Sequence, residues 1–254
     1  MVVFGLLGAV IGSFLNVCID RLPENRSLLG PPSHCDACQK RLGFLDLVPV
    51  FSYLWLRGRC RYCGARIPIR NFLVETGCAL LTAFLYYYKG LTLDFGIIAL
   101  YSYIYIVIGL IDLKTGLILN RIVYPSLVLA LAISPFFIQS EGGYLSNFVN
   151  ALIGAGVGLV ALLIPVVATM GRGMGIGDVK MAALIGLTTG FGEVLVAILG
   201  GIILGGLAAI FLLVFKLKKR KEAIPFGPFL AIGAIVTLIW GSQILHWYLG
   251  LFRF

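Results

Sequence analysis

The chain has 254 residues, of which 60% are hydrophobic and only 12% are charged, and its mean hydropathy is +1.02. Soluble domains carry about 25% charged residues, so this composition excludes a soluble globular fold and requires a bilayer around much of the surface. The net charge of +9 could indicate nucleic-acid binding, but the positions of the basic residues favour membrane topology instead.

Eight apolar runs alternate with polar loops along the chain. A helix that crosses the hydrocarbon core needs ~20 residues, and most of the runs approach this length. The sixth run has about 14 residues and would rise only ~21 Å. We therefore predict an all-α polytopic membrane protein with about eight transmembrane helices. The runs cover residues 2–19, 72–88, 95–111, 122–138, 148–169, 179–192, 194–215 and 226–250.

The only sizeable segment outside the membrane is the loop between the first two runs. The first run lacks a basic segment before it, which predicts a retained span rather than a cleaved signal peptide. Three regions follow from this pattern: a first transmembrane helix over 1–19, a cytosolic loop domain over 20–71, and a membrane core of about seven helices over 72–254.

The basic residues predict the orientation. An eight-span arrangement places 18 of the 20 Lys and Arg residues on one side, with nine in 20–71 and five in 216–221. Cytoplasmic loops carry such an excess of basic residues, so these loops face the cytosol and both termini lie outside. The run 216–221 is interpreted as a topology anchor, and no nucleic-acid partner is expected. The implied location is a cytoplasmic or bacterial inner membrane.

Four of the six cysteines form two C-x-x-C pairs within the loop. Two such pairs at this spacing are typical of a tetrahedral zinc site, and four thiolates close the coordination sphere, which indicates a structural rather than a catalytic ion. The reducing cytosol disfavours the alternative of two disulfides, although free thiols stay possible. Zinc would let a loop with little core fold. The predicted ligands are Cys35, Cys38, Cys60 and Cys63, whereas Cys18 and Cys78 are predicted to pack within or beside spans.

Three acidic residues adjoin the cytosolic ends of predicted spans: Glu75, Asp112 and Asp178. Asp112 ends the third run, and Asp178 follows the glycines at 173, 175 and 177 at the start of the short sixth run. A carboxylate at membrane depth is costly and is a candidate functional group. The glycines are expected to permit positive φ angles or a close approach of backbone or substrate. The short sixth helix is explained if this loop dips into the membrane.

Two facing carboxylates predict an aspartyl protease, in which one ionised group takes a proton from water while the other, protonated, polarises the scissile carbonyl. Simpler interpretations stay open at this stage. Asp178 could cap the sixth helix, and Asp112 could pair with Lys114 or Arg121. Glu75, near the start of the second run, could pair with Arg70 or line a further site. Asn16 and Gln243 are predicted to form hydrogen bonds between helices.

Six motifs in the same order resemble the bacterial type 4 prepilin peptidases, the prepilin leader peptidase/N-methyltransferase family of GxGD-type membrane aspartyl proteases. The resemblance covers nearly the whole chain and departs at Ile118-Leu119-Asn120, where the family often has Ile-Pro-Asn. The matching segments are GSFLNVCIDRLP (12–23), the two cysteine pairs, RIPIR (66–70) followed by VE (74–75), ID (111–112), GIGDVK (175–180) and PFGPFL (225–230).

The resemblance implies that Asp112 and Asp178 are the catalytic pair. It implies cleavage of the basic leader of type IV prepilins or type II secretion pseudopilins at the cytosolic face. It also implies methylation of the new N-terminal residue, usually Phe, with S-adenosylmethionine as the methyl donor. The residues that bind the donor are not identified, because no glycine-rich motif of the soluble methyltransferases is present, and methyl transfer is assigned to the amino-terminal part of the chain with the opening motif and Glu75.

Three other functions compete with this interpretation. A transporter or channel would use the two aspartates to bind protons or cations, but it predicts inverted repeats that the sequence does not show. A zinc-stabilised scaffold without catalysis would leave the paired aspartates unexplained. A relative with peptidase activity alone would be expected to lack the opening motif and the cysteine loop, which are intact here.

Overall fold

The computed structural model describes residues 1–136, 143–171, 174–216 and 224–251, and this part of the chain contains nine α-helices and no β-strand. Short 3-10 turns cover Phe44–Leu47 and Ser134–Phe136. The predicted all-α class is confirmed. The helices are α1 Val2–Arg21, α2 Phe51–Trp55, α3 Ile69–Lys89, α4 Leu93–Thr115, α5 Asn120–Ile133, α6 Gly143–Ala168, α7 Ile176–Thr189, α8 Glu193–Val214 and α9 Gly227–Gly250.

Every predicted apolar run corresponds to one helix, and α2 is an additional short helix in the loop. Among the described residues, five helices are long and apolar enough to cross a membrane: α1, α4, α6, α8 and α9. The fourth run was predicted to continue to residue 138, but α5 ends at Ile133, shortly before Pro135. The chain passes from Ile133 into the 3-10 turn Ser134–Phe136, and Pro135 has no N–H with which to continue the α-helical hydrogen bonds.

Parts of the predicted pattern lie outside the described residues. Of the run 216–221 that was interpreted as a topology anchor, only Lys216 is described. Arg172 and Gly173, in the glycine segment before Asp178, also lie outside the described part, as does Arg253.

The chain divides into two compact units, Met1–Phe95 and Gly96–Phe254. In the first unit, α1 and α3 lie antiparallel and very close together. A Cβ atom added at Gly8 would lie 2.5 Å from the carbonyl oxygen of Cys78, and one at Gly12 would lie 2.8 Å from the Cα of Glu75. Small residues at such contacts let two membrane helices approach closely. At the far end of the pair, the rings of Phe4 and Tyr86 stack at 3.9 Å.

Polar side chains tie the other end of the α1–α3 pair. The Nδ2 of Asn16 donates to the carbonyl oxygen of Asn71 at 3.0 Å, which confirms the predicted hydrogen bond between helices. Arg70 forms its ion pair with Asp20 at 2.7 Å rather than with Glu75. The proposed Glu75–Arg70 pair is therefore wrong, because Asp20 at the end of α1 lies closer to the guanidinium.

The second unit encloses the short helix α7. Almost every residue of α7 from Asp178 to Thr189 is buried, and α5, α6, α8 and α9 all pack against it. The tightest approach is to α6, where a Cβ atom at Gly154 would lie 2.5 Å from the carbonyl oxygen of Gly186. A helix too short to cross the membrane alone is thus surrounded by protein, the setting in which irregular backbone at membrane depth is tolerated.

This packing predicts a difference between two glycines of α6. Gly154→Ala should destabilise the unit by about 1–3 kcal/mol, because the new methyl group would overlap the α7 backbone. Gly156→Ala is the matched control, since nothing lies within 4 Å of its added Cβ. We expect thermal unfolding in detergent to show a lower midpoint for Gly154→Ala alone. Equal midpoints for the two variants would contradict this packing.

Candidate active site and metal centre

The two cysteine pairs lie in two turns with the same backbone pattern. In the first, the Cys35 N–H donates to Lys40 and the Gln39 N–H donates back to Cys35; in the second, the Cys60 N–H donates to Ala65 and the Gly64 N–H donates back to Cys60. Gln39 and Gly64 have φ angles of 57° and 71°, so both turns reverse through the left-handed region. Glycine adopts this region at low cost, which suits Gly64 to its position directly after Cys63.

The sulfur atoms of all four predicted ligands lie within 4.8 Å of one another, and Cys35 Sγ is 3.8 Å from Cys63 Sγ. A tetrahedral ion with Zn–S bonds of ~2.3 Å places sulfurs ~3.8 Å apart, so this group fits zinc. All four cysteines are free rather than disulfide-bonded. The cluster could therefore hold zinc.

Asp112 lies in the last turns of α4 and is only 5% exposed. Its Oδ2 accepts a hydrogen bond from the backbone N–H of Gly227, the first residue of α9, at 2.9 Å. A Cβ atom at Gly227 would lie 2.6 Å from the same oxygen, so only glycine lets the start of α9 come this close to the carboxylate. The helix N-terminus also directs its positive dipole end toward the carboxylate.

Asp178 lies in the first turn of α7 and is 8% exposed. Its Oδ2 accepts a hydrogen bond from the N–H of Gly175 at 3.1 Å, and its own N–H donates to the Gly175 carbonyl oxygen. Asp178 therefore does cap its helix, as the simpler interpretation proposed. This bond fixes the orientation of the carboxylate and is compatible with a second, chemical role.

The glycines before Asp178 provide space rather than unusual backbone angles. The φ angle of Gly175 is −84°, and Gly177 is part of α7, so the expected positive φ angles are wrong for both. The expected close approach is confirmed at Gly177, where an added Cβ would lie 2.9 Å from the Cβ of Ile118. The loop before α5 therefore packs directly on the turn of α7 that carries Asp178.

The structure places both aspartates in the second unit, Asp112 near the end of α4 and Asp178 in the first turn of α7. Their helices are joined deeper in the unit, where the hydroxyl oxygens of Tyr105 and Thr188 lie 2.6 Å apart in a buried hydrogen bond. Next to Asp178, Lys180 donates to the Oδ1 of Asn120 at 2.8 Å. This contact joins the first turn of α7 to the start of α5.

Sequence reasoning missed two features of the second unit. It did not single out Glu193, which begins α8 and is buried. Its Oε2 lies against α9, 2.7 Å from where a Cβ atom at Gly241 would be. It also missed the hydrogen bond from Gly227 to Asp112. Neither feature has a local pattern, because both depend on contacts between helices far apart in the sequence.

Comparisons with known proteins agree with this arrangement. Residues 6–89 match the Bacterial Peptidase A24 N-terminal domain, and residues 99–210 match the Type IV leader peptidase family. The chain is 34% identical to a prepilin leader peptidase/N-methyltransferase of Pseudomonas putida, over 94% of this chain and 90% of that protein. A protein of the same name from Bacillus subtilis is 30% identical over 96% of both chains. No solved structure matches the chain.

The chain belongs to the Type IV leader peptidase family, whose relatives it matches along nearly their full length. It is a multi-pass membrane protein with membrane-capable helices in both units. Family membership does not favour the transporter or the scaffold without catalysis that the sequence left open.

Proposed function

We propose that the chain removes the leader peptide from prepilins and then methylates the new N-terminus, with Asp112 and Asp178 as the catalytic pair of the first reaction. The observation that carries the proposal is the geometry of the pair. Two buried carboxyls stand on α4 and α7, which the Tyr105–Thr188 hydrogen bond joins, and each carboxyl is oriented by a backbone N–H. Acids buried in this way are candidate functional groups.

Both aspartates would act in cleavage through one shared proton. Like charges at short range disfavour the doubly ionised state, so one carboxyl is protonated while its partner is ionised. The ionised carboxylate removes a proton from water as the water oxygen bonds to the scissile carbonyl carbon. The protonated carboxyl donates to the carbonyl oxygen. The tetrahedral intermediate then collapses and the C–N bond breaks. The leaving amine takes up the proton that came from water, and a hydroxyl of the intermediate returns a proton to the other carboxylate, so the pair again holds one proton.

The substrates would be type IV prepilins or type II secretion pseudopilins, in keeping with the prepilin substrates that the relatives' names indicate. The excess of basic residues in alternate loops supports an active site that faces the cytosol, both termini outside, and a bacterial inner membrane.

Zinc would be bound by Cys35, Cys38, Cys60 and Cys63 and would act structurally. The four thiolates would occupy all tetrahedral positions and leave none for substrate. Two turns joined by metal would stabilise a loop whose residues are mostly exposed and which has little core of its own. The sulfur separations of the cluster support this assignment.

S-adenosylmethionine would supply the methyl group in the second reaction. The acceptor is the α-amine that cleavage creates, and it must be neutral to act as a nucleophile. Its ordinary pKa is about 7.7–8.0, so partial desolvation at the membrane boundary is sufficient to favour the neutral form. Because cleavage creates this amine, methylation follows cleavage.

Membrane vesicles of known orientation test the proposed cleavage and its sidedness. Inside-out vesicles that contain the protein should cleave added prepilin without detergent, whereas right-side-out vesicles should cleave it only after permeabilisation. Vesicles with the Asp178→Asn variant serve as the control for cleavage by other proteases. Cleavage by sealed right-side-out vesicles alone would contradict a cytosolic active site, and cleavage by neither preparation would contradict the proposed function.

A further inference from the structure

The loop of the first unit carries an exposed apolar patch between the two cysteine turns. Residues 44–55 form a 3-10 turn and the short helix α2, which contact each other. The patch, named here the 44–55 patch, consists of the exposed side chains Phe44, Leu45, Leu47, Phe51, Leu54 and Trp55. Trp55 is 86% exposed. Clustered large apolar side chains on a surface mark a site of interaction with a partner or a membrane.

Helix α2 lies side-on against α3. The ring of Tyr53 stacks on Phe72 of α3 with the centroids 5.0 Å apart. Residues spaced by three and four positions share a helix face, so Phe51, Leu54 and Trp55 lie together on the face opposite Tyr53. One side of α2 therefore packs on α3, and the other side presents the patch outward.

A strained turn fixes this orientation. Val50 has a φ angle of 64° and a ψ angle of −52°, and the Phe51 N–H donates across it to the Pro49 carbonyl oxygen at 2.7 Å. This γ-turn geometry is rare and costly, above all for a β-branched residue. The N–H of Val50 donates to the Glu75 carboxylate at 2.7 Å, a charge-assisted bond that holds the turn against α3.

The contacts on α3 define the depth of the patch. Helix α3 begins at Ile69, so Phe72 and Glu75 lie ~4.5 and ~9 Å along its axis at a rise of ~1.5 Å per residue. Because α3 lies antiparallel along α1, which is apolar enough to cross a membrane, these contacts are at the loop end of a membrane helix pair. Helices that lie in the interface bury their apolar face ~5–10 Å into the headgroup and acyl boundary.

Basic residues lie beside α2, on the side that carries Tyr53. A cleft of about 520 Å³ beside α2 is lined by Tyr53, Ile69 and three arginines, Arg57, Arg59 and Arg66, among others. Its described lining includes no acidic side chain. Basic side chains near an anionic leaflet contribute about 1 kcal/mol each to membrane attraction. The positive charge beside α2 therefore complements lipid phosphates.

We propose that the 44–55 patch is an interfacial membrane anchor, with Phe51, Leu54 and Trp55 among the lipids of the leaflet on the loop side and the arginine cleft on their anionic headgroups. Depth, an outward apolar face and adjacent positive charge all favour a lipid surface over a protein partner. The anchor holds the zinc-binding loop flat against the membrane. It also explains Glu75, whose carboxylate positions the anchor. This inference does not depend on the proposed chemistry.

Tryptophan quenching in the full-length protein tests the anchor. The chain has three tryptophans, so the double change Trp240→Phe/Trp247→Phe leaves Trp55 as the sole reporter. The protein is placed in bilayers of phosphatidylcholine and phosphatidylglycerol that contain lipid brominated near the headgroup. A variant with only Trp247, an exposed residue of α9, is the matched control for contact with lipid.

We expect brominated lipid to quench Trp55 as strongly as Trp247, while aqueous iodide leaves Trp55 largely unquenched. Strong iodide quenching without lipid quenching would show that the patch faces water. Quenching by neither agent would show that protein covers the patch. Either of these results overturns the proposal. Neither result bears on the assignment of the aspartates, because quenching reports the surroundings of Trp55 and not the activity of the protein.

Discussion

Asp112→Asn and Asp178→Asn should each reduce prepilin cleavage by at least ~10²-fold, the lower bound of what a positioned general acid or base contributes. Each change removes a group that must alternate between ionised and protonated forms. An asparagine Oδ1 can still accept the backbone hydrogen bond that Asp112 receives from Gly227, or Asp178 from Gly175, so the fold should persist. Initial rates of cleavage by purified variants in detergent, with thermal unfolding in parallel, measure both effects.

Glu193→Gln is the matched control for these variants. Glu193 is also buried in the second unit, but its carboxyl lies against Gly241 rather than with the aspartate pair. Its change should leave cleavage within about tenfold of the unchanged protein, a barrier difference of ~1.4 kcal/mol. If either aspartate variant instead keeps a rate within that range, the assignment of that residue is wrong.

Loss of one cysteine ligand should release the metal and loosen the loop. We expect one zinc ion per chain in the unchanged protein and much less in Cys38→Ser, because three thiolates leave the tetrahedral site open. Structural zinc binding is worth about 10–16 kcal/mol in small zinc domains, so the loop over 20–71 should lose much of its stability. Elemental analysis measures the zinc content per chain, and hydrogen exchange compares the protection of the loop with that of α1.

Cys18→Ala is the control for the metal experiment, since Cys18 is buried in α1 and does not belong to the cluster. It should keep the zinc and the loop protection. Helix α1 should stay protected even in Cys38→Ser, because a membrane helix satisfies its own backbone hydrogen bonds. A metal-free protein with an ordered loop would refute the zinc assignment.

Features with a local sequence pattern were predictable. Each of the eight apolar runs predicted one helix, and each is found. The two C-x-x-C pairs predicted a cysteine cluster, and their sulfurs do converge. The shortness of α7 was predicted as well. These features depend on composition and spacing over a few residues, which a single sequence displays directly.

Features that depend on packing between distant helices were not predictable. The Glu75 carboxylate was expected near Arg70, but it accepts the N–H of Val50, which only the folded loop brings to α3. Gly177 was expected to permit a close approach, but its partner, Ile118, was not identified. In both cases the partner lies far along the chain, so residue type alone did not identify it.

The central claim is that one chain cuts the leader from a prepilin and methylates the amine it exposes. The most direct measurement is the mass of a purified prepilin after incubation with the purified protein, its zinc and S-adenosylmethionine. The account predicts a mature pilin that has lost its leader and carries one additional methyl group on its N-terminal residue. Recovery of the intact, unmodified prepilin, with Asp112 and Asp178 unchanged and the enzyme folded, would contradict it.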